Sequence, residues 1–399
     1  MVPSGVEVGS GQPALPERLP ALDGVRGIAI LWVAVHNLSV IDGPWFPSLF
    51  GRAVETAINS GWMAVTLFFA LSGFLISGIL LDSRQADDYY RSFYMRRVLR
   101  IFPLYYAVLL AAFVLMPLLV PLIGPLPGGV AADVPDQVWL WTYLSNWTEP
   151  YGIASNAFPH FWSLAVEEQF YLVWPFLIRH CTARQAFRLC VVVAASALGI
   201  RCLMLAAGAT PEMVYTFTFS RMDALALGGA AAAALRVPEW RAWCVRRDAK
   251  AVLLSAALFV ACLLVVRSIS RVNPLMQTAG YSLLALSFAS LLLGLAGADI
   301  AGRSAWWCSP WRIAPLRVLA TYSYGMYVFH KILGDALLRP LMRAQEDLLK
   351  SLPAHLAYLA LATLASLAVA MLSYHLLEKR FLRLKPLFAR RGAVTVAST

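Results

Sequence analysis

Charge is scarce in this sequence. Only 14% of its 399 residues are Asp, Glu, Lys or Arg, while 60% are hydrophobic and the mean hydropathy is +0.66. A soluble globular chain carries about 25% charged residues. The shortage excludes an ordinary cytosolic enzyme, a disordered chain and a fibrous protein. Cysteine is equally uninformative as a ligand. The six (Cys181, Cys190, Cys202, Cys244, Cys262, Cys308) show no C-x-x-C spacing and mostly fall in or beside apolar runs. They read as buried thiols rather than a metal site or a disulfide frame. There is no P-loop, Rossmann fingerprint, H-E-x-x-H or metal-spaced Cys/His cluster, so ATP-driven transport and zinc hydrolysis have no support and no metal is expected. No internal repeat is visible, which disfavours inverted-repeat transporters. Nor is there any Lys or Arg between Gly124 and Trp162, or between Ala207 and Ser220.

Long apolar runs are abundant instead. A membrane crossing needs about 20 residues at 1.5 Å each. Ten runs qualify: about 22–42, 60–81, 101–123, 163–180, 187–206, 217–236, 251–268, 277–297, 313–336 and 354–377. The expected architecture is all-α, a polytopic integral membrane protein of about ten transmembrane helices. Residues 1–20, rich in Gly, Pro and Ser, read as a mobile tail rather than a cleavable signal. Residues 21–385 read as one transmembrane domain and 386–399 as a basic tail. The Trp- and Tyr-rich stretch from Trp139 to Trp147 reads as re-entrant or interfacial.

The net charge of +11 suits basic loops beside anionic lipid, not a nucleic-acid partner. Arg84, Arg91, Arg96, Arg97 and Arg100 follow the second span, and Arg236, Arg241, Arg246, Arg247 and Lys250 follow the sixth. Lys379, Arg380, Arg383, Lys385, Arg390 and Arg391 mark the C-terminal tail. The positive-inside rule then puts both termini in the cytoplasm, in a bacterial-type inner membrane. The pattern weakens at the last outer loop, with Arg339, Arg343 and Lys350.

That topology assigns depth. His36, Glu167, Glu168, Arg221, Asp223 and His330 fall near the outer ends of their spans, and intramembrane ionisable groups usually face a bundle interior or a wet cavity. Their shared depth implies one polar cavity opening outward, with His160 and Trp162 at its mouth. Arg26, Arg97 and Arg100 sit at the inner edge. Arg26 and His36 are ten residues apart on one helix, roughly 15 Å in height.

Each motif has two readings. Arg97 and Arg100, at i, i+3 on one face, suit a phosphate-bearing ligand or merely anchor the loop. His36 is a candidate general base or a packing hydrogen bond. Adjacent Glu167 and Glu168 cannot share one helix face, so one orients an imidazole and the other is structural. Arg221 and Asp223 read as a self-neutralising pair, glue or site. His330 holds helices together or touches substrate. Ser72-Gly73 permits close helix approach or an opening toward a ligand.

Several blocks resemble one family. Leu22-Asp-Gly-Val-Arg-Gly-Ile-Ala-Ile-Leu-Trp, Phe69-Ala-Leu-Ser-Gly-Phe-Leu-Ile and Arg96-Arg-Val-Leu-Arg-Ile-Phe-Pro-Leu-Tyr-Tyr are similar to the opening spans of the acyltransferase 3 family of integral membrane acyltransferases. Phe161-Trp-Ser-Leu-Ala-Val-Glu-Glu-Gln-Phe-Tyr, Ser323-Tyr-Gly-Met-Tyr-Val-Phe-His and His375-Leu-Leu-Glu-Lys-Arg-Phe continue the match in family order, from about residue 20 to 385. The resemblance implies transfer of an acyl group, often acetyl, from acyl-CoA to a hydroxyl of a sugar or glycosylated acceptor. It implies His36 as the catalytic histidine, with Arg26, Arg97 and Arg100 serving the donor. Some members carry a fused extracytoplasmic hydrolase-like domain, which is not expected within these 399 residues. One departure stands out. Many members place ten residues between the span-one Arg and His; here nine intervene and Asn37 takes the usual slot. One residue is about 100° of helix rotation. Either His36 serves from a shifted position, or another group such as His160 or His330 takes the role. His36 is retained as the span's one imidazole. The rival expectations are a transporter or flippase for a glycolipid or small anion, and a ligand sensor that has lost catalysis.

Overall fold

The computed structural model describes residues 16, 18–40, 45–124, 126–148, 153, 155–338 and 346–388. Most of the two expected tails, together with Arg339, Arg343, Arg390 and Arg391, lies outside the described residues. Within them the chain is helical throughout, and no strand occurs.

The first helix, α1 (Pro20–Leu38), starts on a proline, whose missing N–H costs nothing at that position. Its N-terminus is held from afar: Asp299 accepts from the Ala21 N–H at 2.9 Å and pairs with Arg312 at 2.6 Å. A carboxylate at a helix N-terminus also suits the macrodipole. This contact fixes the height of Arg26 and His36. Leu49–Asn59 and a 3-10 turn then lead into α2 (Met63–Ser83). α3 (Tyr89–Leu110) runs on through a π turn to Ile123. It begins twelve residues before the expected span, so Arg97 and Arg100 lie inside a helix rather than in a loop.

α4 (Phe161–Arg179) precedes α5 (Ala183–Ala206), which opens on a capping box. Thr182 accepts from the Gln185 N–H, and Gln185 accepts from the Thr182 N–H. α6 (Thr218–Ala234), α7 (Asp248–Val266), α8 (Tyr281–Ile300), α9 (Ala314–Leu333) and α10 (Leu352–Ser373) complete the bundle.

Among the described residues, seven helices are long and apolar enough to cross a membrane: Pro20–Leu38, Leu49–Ser83, Tyr89–Leu122, Ala183–Ala206, Asp248–Val266, Met276–Ile300 and Leu352–Leu382. The chain is thus an all-helical, multi-pass membrane protein. α4, α6 and α9 are not among the seven. α4 carries Glu167, Glu168 and Arg179, α6 has 17 residues with Arg221 and Asp223, and α9 carries Arg317 and Lys331. Among their interior polar groups are Ser163, Arg221, Asp223 and His330. α6 is nearly all buried, whereas α7 shows most of its leucines outward, as a lipid-facing helix does.

α2 and α6 touch at backbone distance. A Cβ on Gly73 would stand 1.8 Å from the Leu225 carbonyl oxygen, and one on Gly228 would stand 1.9 Å from that of Ala70. Small residues are what let two membrane helices approach this closely. Gly73→Ala and Gly228→Ala are each expected to destabilise by about 1–3 kcal/mol, the usual cost of overpacking. A lowered melting temperature of the purified protein in detergent is the readout, and unchanged melting in both would contradict the contact.

Candidate active site

Two cavities open between these helices. The first, about 890 Å³ including its mouth, receives Arg26 from α1, Ser72 from α2, Arg97 and Arg100 from α3, and Glu167, Glu168 and Tyr171 from α4. The second, about 960 Å³ including its mouth, receives His36 and Asn37 from α1, Trp62 from the turn before α2, His160 and Trp162 at the start of α4, and Tyr215. Val65 and Tyr327 line both. The cavities therefore share a wall.

In the first cavity the three guanidinium groups arrive from two helices. Arg97 stacks near the rings of Phe93 and Tyr171, at 5.8 and 5.5 Å. No carboxylate lies within 4 Å of Arg26, Arg97 or Arg100 among the described residues. A hydrogen-bonded chain crosses the cavity floor: Ser72 Oγ donates to the Tyr171 hydroxyl at 2.5 Å, which donates to Glu167 Oε2 at 3.0 Å. One oxygen of Glu168, Oε1, has no hydrogen-bond partner.

Here the structure departs from expectation. Glu167 and Glu168 both line the arginine cavity, and neither lines that of His36. α4 starts at Phe161, so these carboxylates sit nearly two turns in, roughly 9 Å below the helix start. That depth carries them to the arginines. The single outward cavity of acid and base is instead two cavities: Glu167 and Glu168 stand with Arg26, Arg97 and Arg100, and His36 and His160 stand apart.

In the second cavity each imidazole has its proton assigned by a carbonyl, which can only accept. His36 Nδ1 donates to Ile58 O at 3.1 Å, placing the lone pair of the neutral ring on Nε2. Gly61 permits this approach, because a Cβ there would stand 2.4 Å from His36 Cβ. His160 Nε2 donates to Val328 O at 3.2 Å, which leaves the lone pair on Nδ1. That nitrogen is buried without a hydrogen-bond partner in a side chain 5% exposed. His330 is fully buried and lines neither cavity. Its Nδ1 donates to Met326 O and Tyr327 O at 3.0 and 2.8 Å, and its Nε2 accepts from Asn37 Nδ2 at 3.0 Å. The residue in the histidine slot thus reaches a second imidazole, 5.3 Å from the His160 ring.

Tyr327, in the shared wall, is held at its hydroxyl from one side. Its hydroxyl donates to the His160 carbonyl at 3.1 Å and is hydrogen-bonded to Ser163 Oγ. Arg271 and Lys331 also line the second cavity, each already paired: Arg271 with Glu212 at 3.7 Å and Lys331 with Asp335 at 2.9 Å.

Arg221 and Asp223 do not pair with each other. Residues at i, i+2 point to nearly opposite sides of a helix. Asp223 instead pairs with Arg201 of α5 at 2.8 Å, both side chains being buried, and Ser282 bonds to both. Arg221 donates to Thr66 Oγ1 at 2.9 Å and lies over the rings of Tyr281 and Tyr215, at 4.4 and 5.1 Å. Neither lines a cavity. Sequence reasoning missed Arg201, although a lone arginine inside an apolar run is itself a signal. It also missed Tyr171 and Tyr327, whose hydroxyls carry no charge to mark them.

Among the described residues no cluster of three or more His, Cys, Asp or Glu is placed to hold a metal ion. The model of the acyltransferase 3 family, described as an acyltransferase domain, matches residues 19–375. The chain belongs to this family. One relative is a putative peptidoglycan O-acetyltransferase, YrhL, of Bacillus subtilis (27% identical, covering 90% of this chain and 54% of the relative). Another is the peptidoglycan O-acetyltransferase OatA of Listeria monocytogenes (26% identical, 78% and 49%). A third is the O-acetyltransferase OatA of Staphylococcus aureus (28% identical, 53% and 34%). The chain spans about half or less of the length of these curated relatives. No solved structure matches it.

Breaking a buried ion pair by removing one partner costs about 3–5 kcal/mol. Arg201→Met is therefore expected to abolish or sharply lower the yield of folded protein, as seen by size-exclusion chromatography. Arg201→Met with Asp223→Leu should recover much of it.

Proposed function

We propose that this acyltransferase is a membrane O-acyltransferase that moves a short acyl group, acetyl foremost, from acyl-CoA to a hydroxyl of a sugar acceptor. The observation that carries the proposal is the pair of adjoining cavities, one cationic and one lined by imidazole and aromatic rings, with Val65 and Tyr327 common to both. Unpaired guanidinium forks suit a donor bearing several phosphates. The rings of Trp62, Trp162 and Tyr215 suit a sugar face, and the relatives' names point to a cell-wall glycan. The arginine end faces the cytoplasm, where the positive-inside rule puts both termini. Residues 21–385 form the catalytic unit in an inner membrane, with tails on either side.

In this reading Arg26, Arg97 and Arg100 hold the donor's phosphates, and Ser72 lines its path. Glu167 and Glu168 balance part of the arginine charge, and Glu167 fixes Tyr171 beside it. At the shared wall His36 Nε2 takes the proton of the acceptor hydroxyl. The hydroxyl oxygen attacks the thioester carbonyl, the C–S bond breaks, and the imidazolium returns its proton to the departing sulfur. His160 Nδ1, an acceptor with no donor, receives a second O–H of the sugar and orients it. His330 positions Asn37, and so the end of α1 that carries His36. Trp162 supplies a stacking face, whereas Arg221 and Asp223 support the α5–α6–α8 packing rather than contact substrate.

A general base contributes about 10²–10⁴ in rate. His36→Ala is expected to lower turnover by about that factor, with acceptor and donor KM little changed. The assay is release of free CoA thiol with transfer of labelled acetyl to membrane glycan. Full turnover in that variant removes His36 from the mechanism. Counterflow of labelled substrate with no CoA release would replace the transferase reading with transport. Hydrogen bonds to a charged group are worth about 1.5–3 kcal/mol. Arg97→Met should therefore raise the donor KM by roughly tenfold or more while leaving the acceptor KM unchanged.

A further inference from the structure

One face of α2 runs the length of the first cavity. Val65, Phe68, Phe69, Ser72 and Leu75 stand at i, i+3, i+4, i+7 and i+10, and all five line it. The lining changes character along this face. At Ser72 it is polar: Ser72 bonds to Tyr171, whose ring lies 5.5 Å from the Arg97 guanidinium. Seven residues back, roughly 10 Å along the helix, the face ends at Val65 in the shared wall. Between these points Phe68 and Phe69 of α2 and Leu164 of α4 supply hydrocarbon. Glu167 and Glu168 stand about one turn beyond Leu164 on α4, toward the arginines.

The wall itself is stiff. Val65 is buried, and a β-branched side chain on a helix has one strongly preferred rotamer. Tyr327 is held at its hydroxyl by the His160 carbonyl and Ser163, and its ring meets Phe68 edge-on at 6.2 Å. Across the wall, Trp162 of the second cavity meets Phe69 of the first edge-on at 6.1 Å. In the acyl-CoA reading above, the phosphates rest with the arginines and the acceptor hydroxyl with His36. The hydroxyl oxygen bonds to the acyl carbon as the bond from that carbon to sulfur breaks. The acyl carbon therefore lies where the cavities meet, and its apolar tail turns to the hydrocarbon side of that junction.

We propose that Val65, Phe68 and Tyr327 form an acyl subsite of fixed size, which sets the length of the group transferred. Its ligand is a short, unbranched acyl chain, and acetyl fits it best. The inference rests on the acyl-CoA reading above. One methylene too many in a closed apolar pocket costs about 10–200-fold in kcat/KM. These side chains select the donor and move no proton.

The test measures kcat/KM of the full chain in glycan-bearing membranes with acetyl-CoA, propionyl-CoA and butyryl-CoA, by release of CoA thiol. Wild type is expected to favour acetyl over propionyl by about tenfold or more. Val65→Ala opens the wall and should narrow that preference by about tenfold, whereas Val65→Ile should widen it. The two variants read in opposite directions, so either one that folds suffices. A packing defect unrelated to the acyl group would lower all three donors alike and leave their ratios in place. Leu75→Ala enlarges the same cavity roughly 15 Å from the wall and should leave the ratios at the wild-type values. Unchanged ratios in both Val65 variants, or a shift in Leu75→Ala as large as that in Val65→Ala, overturn the subsite and leave the donor reading intact. So does a wild type that uses propionyl-CoA as well as acetyl-CoA. If wild type releases CoA from none of the three, the donor reading falls, and this proposal falls with it.

Discussion

The cost of holding charge in a medium that cannot solvate it organises this molecule. A bundle buried in lipid has two ways to keep an arginine: pair it, or open water to it. Both occur here. Arg201 is locked to Asp223 in the dry interior, and Ser282 bonds to both. Arg26, Arg97 and Arg100 have no such partner and face a cavity. The difference separates structural charge from functional charge more clearly than depth or spacing does. Two guanidinium groups can look alike in a sequence and differ entirely in what surrounds them.

The polar cavities follow from which helices can afford to be polar. α4 and α9 supply most of the cavity-lining hydroxyl and carboxylate groups, and neither has the composition of a lipid-facing helix. α4 packs on α2, and α9 packs on α1 and α10. The glycine contacts between α2 and α6 draw the inner layer together. Packing at backbone distance thus allows the charged helices to stay inside.

Much of this was legible in the residues. The apolar runs located every long helix, and the i, i+3 spacing of Arg97 and Arg100 placed both on the same cavity. The ordered family blocks named the fold class. Depth was the weak step. Counting Glu167 and Glu168 from an assumed span start put them beside His36, and a helix that begins two residues earlier, packed against α3, put them beside Arg97 instead. The pairing of Arg221 with Asp223 failed for a simpler reason, since i, i+2 neighbours face apart and a third helix supplied the true partner. Hydrogen-bond direction was beyond the sequence altogether. That His36 and His160 each spend one nitrogen on a main-chain carbonyl depends on where Ile58 and Val328 lie in space.

The wall of Val65 and Tyr327 has a consequence for the membrane itself. Two water-accessible hollows that meet at a pair of side chains amount to a pore with a thin stopper, and a leaking pore would dissipate the ion gradients a cell lives on. Tyr327 is tethered at its hydroxyl to the His160 carbonyl and to Ser163, so the stopper is fastened rather than loose. Any movement that admits a reacting group between the hollows must therefore let a small molecule by while still insulating one side from the other.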